Sequence, residues 1–199
     1  MKNGQICMST DTVFVAQPIF AEFRKALLSI VQDAQEPLKV TSLITQPAAM
    51  RVRSLVADAV AKGATIHTPK ASSSSTTTQS SAEVAPTVIE GVLPNMDIAT
   101  LEAFGPLLCL LPFESIQEVI KSINSCKYGL SSSVHTRNQY NGLLLSQKLK
   151  VSATHINGST VHDESTLPHG GHGDSGWGRF GGAWGLSEFV HTKTIMINK

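Results

Sequence analysis

The chain has 199 residues, of which 41% are hydrophobic and 16% charged, with a formal net charge of +1; at about 150 residues per domain this predicts one domain with appendages rather than two. Near-neutral charge without a Lys/Arg run excludes a nucleic-acid footprint, which needs a clustered basic face. No apolar run approaches the roughly 18 residues of a membrane span, and residues 1–10 hold no apolar stretch of the secretory type. Three cysteines in such a chain point to a reducing compartment, so the expected address is cytoplasmic. The charged fraction lies below the usual quarter, with 22 Ser and 17 Thr supplying polarity instead. Such an under-charged surface is expected to be covered by something outside this chain.

Residues 13–16 predict a short strand. Pro18 then opens an amphipathic helix in which Ile19, Phe20, Phe23, Ala26, Leu27, Ile30, Val31 and Ala34 recur at helical spacing. A second helix is predicted from Pro47 to Lys62, with Val52, Leu55, Val56, Ala59 and Val60 on one face and Gly63 as its stop. Residues 64–67 and 86–90 read as strands. Between them, residues 72–81 contain nine Ser/Thr and one Gln, too polar to pack, and are expected to form a flexible surface insertion.

Residues 107–113 form a near-continuous apolar run, the mark of a strand buried on both faces in a parallel sheet. Ser115-Ile116-Gln117-Glu118 is a capping box for a helix carrying Val119, Ile120 and Ile123, with Gly129 as its stop. Strand 130–136, helix 138–150 and strand 153–157 follow. Residues 170–185 hold eight Gly in sixteen and predict no regular element, and residues 189–198 predict a final alternating strand. This alternation defines an α/β fold, a mostly parallel sheet with helices on both faces.

Cys7 is the first candidate for chemistry. It lies in Asn3-Gly4-Gln5-Ile6-Cys7, where Gly lets the backbone approach a ligand and a thiolate can attack a carbonyl; a terminal thiol without a role is the bland alternative. Cys109 sits in an apolar run and reads as core filler, and Cys126 reads as structural. Glu102-Ala103-Phe104-Gly105-Pro106 precedes the most hydrophobic strand, where a carboxylate and an aromatic ring can hold a flat polar ligand, although a turn with an incidental acid has the same sequence. Gly176-Trp177-Gly178-Arg179-Phe180-Gly181 matches the dinucleotide fingerprint in letters only. That fingerprint needs a preceding strand, a following helix and an acid about 20 residues later, and no acid follows Glu188. His162, His169 and His172 lack a firm carboxylate or Cys partner and are not read as metal ligands.

Taken in order, these segments resemble the C-terminal half of the NAD(P)-dependent aldehyde dehydrogenase superfamily. Residues 3–7 look like the stretch around the family's nucleophilic cysteine. Glu102-x-Phe104-Gly105-Pro106, 95 residues beyond Cys7, looks like the motif whose Glu binds the nicotinamide ribose and whose Phe packs beside the nicotinamide. Tyr128-Gly129-Leu130, Ile156-Asn157, Gly170-Gly171, Ser175 to Arg179, Gly185-Leu186 and Glu188-Phe189 match later positions. The form of residues 167–181 is most similar to the branch acting on aromatic aldehydes such as vanillin or salicylaldehyde.

The resemblance implies that Cys7 attacks an aldehyde to form a thiohemiacetal, whose oxyanion takes a hydrogen bond from the Cys backbone N–H. Hydride passes to NAD or NADP, and an activated water hydrolyses the thioester to a carboxylic acid. Glu102 and Phe104 hold the nicotinamide. It further implies a catalytic domain over residues 1–186, an oligomerisation strand over 187–199 and a homo-oligomer in the full-length form.

The family's general-base Glu, its oxyanion-hole Asn and its dinucleotide-binding domain precede the cysteine and are expected to be missing here. The chain alone is therefore expected neither to bind NAD tightly nor to turn over. Thr12 in place of Arg, Gly173 in place of Lys and the Ser/Thr insertion are further departures. Two alternatives stand beside this reading: a non-catalytic fragment that pairs with full-length subunits, and a cofactor-free thiol esterase using Cys7. Loss of cover from Trp177, Phe180 and Trp184 is expected to make the isolated chain poorly soluble.

Overall fold

The computed structural model describes residues 2–32, 41–69 and 81–199, and its contacts divide into two units, Met1–Ile123 and Asn124–Lys199. In the first, strand β1 (Thr12–Ala16) leads directly into helix α1 (Gln17–Gln32), and β2 (Thr41–Ser42) precedes helix α2 (Gln46–Ala61). Strands β3 (Thr65–His67), β4 (Glu83–Val84), β5 (Thr87–Glu90) and β6 (Leu107–Phe113) follow, and then helix α3 (Ile116–Ser125). Ala34 and nearly all of the Ser/Thr insertion lie outside the described residues.

The main sheet has the order β1-β6-β5-β3. β6 pairs in parallel with β1, Thr12 opposite Cys109, and with β5, Ile89 opposite Cys109, while β3 closes the edge antiparallel to β5. Because strand side chains alternate in direction, neighbouring residues enter opposite cores. Val88 and Leu110 join Val15 beneath Leu28 and Val31 of α1, whereas Ile89 and Cys109 join Ala49, Val52, Leu55 and Ala59 of α2. Helices thus cover both faces, as the apolar run over 107–113 predicts. Ile89 and Leu110 are completely buried, each worth about 1.5–3 kcal/mol in area removed from water.

Local chemistry sets the helix ends. Thr45 caps α2, its Oγ1 accepting from the Ala48 N–H at 3.3 Å, with Pro47 in the first turn. Ser115 accepts from the Glu118 N–H at 3.4 Å, so the hydroxyl half of the predicted capping box forms. α3 nonetheless ends at Ser125, four residues before the expected glycine stop.

The second unit is built on a parallel pair, β7 (Ser131–Val134) and β8 (Ala153–Ile156), with helix α4 (Gln139–Ser146) in the crossover. Asn138 caps α4, its Oδ1 accepting from the Asn141 N–H at 3.1 Å. The helix is shorter than the expected 138–150, because Lys148 and Leu149 donate to carbonyls only three residues back and tighten the chain into turns.

Two expectations are corrected here. A one-turn helix α5 (Gly182–Ser187) forms inside and just beyond the Gly-rich stretch that predicts no regular element. Residues 189–198 form no strand; Phe189, Val190, Ile195, Met196 and Ile197 are exposed. Alternating polarity is only a preference, and a strand exists only where a ladder satisfies its backbone, which nothing among the described residues of this chain supplies.

Candidate active site

The segment carrying Cys7 is shaped by its backbone. Lys2, Asn3 and Gly4 all have positive φ, and Gln5 closes a turn onto the Lys2 carbonyl at 3.1 Å. Ile6 and Ser9 close the next turn, the Ser9 N–H donating to the Ile6 carbonyl at 2.8 Å and the Ile6 N–H to Ser9 Oγ at 3.3 Å. Cys7 sits exposed at the tip of that turn. The Ile44 N–H donates to Gln5 Oε1 at 2.8 Å and ties the segment to the entrance of α2. Asp11 then enters the sheet, its carbonyl accepting from the Cys109 N–H at 2.8 Å.

The Glu102–Pro106 segment lies against this one. A methyl group on Gly4, at φ +69°, would collide with the Gly105 carbonyl, and a Cβ on Gly105 would stand 2.6 Å from Val52 Cγ2. Only glycine fits either position. The result is a hollow lined by Ile6, Ser9, Asp11, Glu102 and Phe104. Glu102 and Phe104, both singled out in the sequence, therefore face it, and Cys7 lies on the turn between two of its lining residues. Phe104 is held at φ +48° with its ring partly exposed.

Two residues that sequence reasoning missed complete the arrangement. The Asp11 carboxylate accepts from Thr12 Oγ1 at 3.3 Å and from the Ala103 N–H at 3.5 Å. Arg51 of α2 donates to the Glu102 carbonyl at 2.7 Å and to the Ala103 carbonyl at 2.5 Å. An acid four residues after a candidate nucleophile was a legible signal for Asp11; Arg51 had none, because it acts across 51 residues of chain. Burial pushes the Asp11 carboxyl above its ordinary range, against its two hydrogen bonds. Glu102 is raised by burial and then by the Asp11 charge, with Arg51 opposing. Cys109, buried beside Asp11, is pushed up to about 12, which keeps it a neutral core thiol.

In the second unit the glycines seat backbone on backbone. Arg179 Nη1 donates to the Gly171 and Gly178 carbonyls at 2.8 and 2.6 Å and its Nη2 to Ser152 Oγ at 3.0 Å, while Ser175 Oγ accepts from the Gly129 N–H at 3.0 Å. Phe180 bridges to His169 rather than entering a dinucleotide turn. His169 Nδ1 stands 3.5 Å from Asp163, and among the described residues no cluster of three His, Cys, Asp or Glu side chains is set to hold a metal ion.

A mostly parallel sheet with helices on both faces thus bears an exposed thiol turn beside a carboxylate and an aromatic ring. The aldehyde dehydrogenase family model matches residues 1–195, and the chain belongs to that family. It is 32% identical over 201 residues to the vanillin dehydrogenase of Pseudomonas fluorescens, a match covering 98% of this chain and 40% of that protein. A salicylaldehyde dehydrogenase from Pseudomonas putida G7, solved with salicylaldehyde, superposes with a TM-score of 0.81 at 28% identity, over 94% of this chain and 38% of that one. The glyceraldehyde-3-phosphate dehydrogenase GapN of Methanocaldococcus jannaschii, solved with NADP, matches at TM-score 0.81 and 25% identity, over the whole of this chain and 43% of its own. The chain thus spans about 40% of the length of the curated relatives it matches.

Proposed function

We propose that this chain supplies the nucleophile and the nicotinamide-facing residues of an enzyme that oxidises an aromatic aldehyde to a carboxylic acid with NAD or NADP. The observation that carries the reading is the seating of the Cys7 turn against Glu102 and Phe104 around one hollow. The aromatic class rests on the similarity to the vanillin and salicylaldehyde dehydrogenases.

In this reading the Cys7 thiolate adds to the aldehyde carbon, and the carbonyl oxygen becomes an oxyanion that the Cys7 backbone N–H stabilises. When bound, the nicotinamide would supply the hydride acceptor for that carbon, leaving Cys7 with a thioester. Water then adds to the thioester, the C–S bond breaks, and the acid and the thiol separate. The residues present fit the nicotinamide half of the cofactor. The Glu102 carboxylate makes no hydrogen bond among the described residues and, when ionised, accepts from ribose hydroxyls, while the Phe104 ring offers a flat apolar face. The base that activates the water, the second oxyanion donor and the adenosine site belong in this reading to the part of the family length that these 199 residues do not span. The chain by itself then neither holds the cofactor tightly nor turns over.

The decisive test measures NAD and NADP binding and acid formation from vanillin for this chain and for a chimaera joining it to the preceding region of the Pseudomonas fluorescens relative. Binding and turnover by the chimaera, abolished in turnover by Cys7→Ser, are expected. A folded chimaera that binds neither cofactor would sink the reading.

The exposed apolar residues at 189–197, with Phe189 and Ile197 almost fully accessible, favour a subordinate reading in which this end meets another subunit in a cytoplasmic homo-oligomer. A strictly monomeric chimaera by light scattering would contradict it.

A further inference from the structure

One turn of α2 holds the backbone on both sides of Phe104. Arg51 donates from its two Nη atoms to the consecutive carbonyls of Glu102 and Ala103. Val52, the next residue on the helix, closes beneath Gly105, where its Cγ2 leaves no room for a Cβ. Phe104 lies between these two anchors in the left-handed region, at φ +48°, a conformation disfavoured for a residue carrying a Cβ. From the opposite side the Asp11 carboxylate takes the Ala103 N–H, so both polar groups of that buried residue are engaged.

With both carbonyls bound to one guanidinium, the peptide planes before and after Ala103 are held in the orientation that Arg51 sets. Released from Arg51, the turn can relax to negative φ, which rotates the plane before Phe104 and swings both the Glu102 carboxylate and the ring. Lysine keeps the charge but lacks the planar fork that meets two acceptors together.

We propose that Arg51 is a positioning residue for nicotinamide binding: its fork on the Glu102 and Ala103 carbonyls holds the left-handed turn that points Glu102 and Phe104 into the hollow. This role rests on the reading of those two residues given above. Arg51 acts through the backbone, and its guanidinium also opposes the effects that raise the Glu102 carboxyl.

The test compares wild type, Arg51→Met and Arg51→Lys in two measurements: amide hydrogen exchange over residues 101–105 in this chain without cofactor, and NAD(P) affinity in the chimaera. Loss of a charge-assisted pair of hydrogen bonds should speed exchange at Ala103 and Phe104 about tenfold or more and weaken cofactor binding about tenfold in Arg51→Met. Arg51→Lys should fall between, and it carries the test if Arg51→Met does not fold. The rate of iodoacetamide labelling at Cys7 should stay within about twofold, since the Cys7 turn has its own closing bonds. Unchanged exchange overturns the proposal, and so does faster exchange with unchanged affinity. If the wild-type chimaera binds no NAD(P), the functional reading falls instead, while exchange in this chain still decides whether Arg51 holds the turn.

Discussion

Gly4 packs its α-carbon directly against the carbonyl of Gly105, which joins the strand-entry segment bearing Cys7 to the turn bearing Glu102 and Phe104. No side chain beyond hydrogen fits, and the φ of +69° at Gly4 favours glycine independently. Gly4→Ala should therefore destabilise the chain by about 1–3 kcal/mol, combining left-handed strain with displacement of backbone. Gly63→Ala is the control, since Gly63 also has positive φ but has open space where a Cβ would go. Urea denaturation should give a larger loss for Gly4→Ala than for Gly63→Ala; equal losses would mean that the close approach to Gly105 carries no energy.

Asp11 should make stability fall as pH rises. Its carboxyl is raised above 3.8 in the fold, chiefly by burial, so the stability it contributes is complete below 3.8 and is lost as pH climbs through the raised folded value. Asn at this position cannot titrate and still accepts from the Ala103 N–H. Urea unfolding from about pH 4 to about pH 7 should show a smaller decline in Asp11→Asn than in wild type. Asp58 serves as the contrast: its hydrogen bond from Lys62 lowers its pKa, so its contribution is present above 3.8 and lost as pH falls.

His155 predicts the reverse slope in the second unit. Burial first, and then the charge of His162, hold its pKa below 6.5; its ring meets the His162 ring edge-on at 5.7 Å, and its Nε2 is buried without a hydrogen-bond partner among the described residues. A neutral His155 contributes stability above 6.5 that is lost as pH falls through the lowered folded value. His155→Phe should flatten the loss of melting temperature between about pH 7 and about pH 5. A variant that keeps the full wild-type slope would place the titration elsewhere.

Arg179 gathers the Gly-rich segment by three hydrogen bonds, to Gly171, Gly178 and Ser152. Arg179→Lys retains the charge and loses the fork, with an expected loss of about 1–2 kcal/mol. Limited proteolysis should cleave within residues 170–181 faster in the variant. Cleavage at the wild-type rate would show that the glycine contacts hold the loop unaided.

Much of the fold was legible because it is locally encoded. The apolar stripes of α1 and α2, the cap at Ser115, the stop at Gly63 and the continuous run of β6 each report a local preference that the tertiary structure also favours. The errors fell where local preference needs a distant partner or competes with one. Residues 189–198 alternate like a strand but find no ladder among the described residues, α3 ends before its glycine, and a helical turn forms among the glycines at 182–187.

By itself the sequence determined the main strands and helices from β1 to β8, the family resemblance and the candidacy of Cys7, Glu102 and Phe104, since spacing, capping residues and motif letters are properties of the chain alone. Only the tertiary structure decided that Gly4 meets Gly105, that Asp11 and Arg51 hold opposite sides of Ala103, and that the Cys7 turn borders the hollow faced by Glu102 and Phe104. The physical reason is separation: these contacts span from about 50 to about 100 residues and form only after the parallel crossovers bring β1 and β5 to either side of β6. Until then each residue carries its chemistry without a partner to direct it.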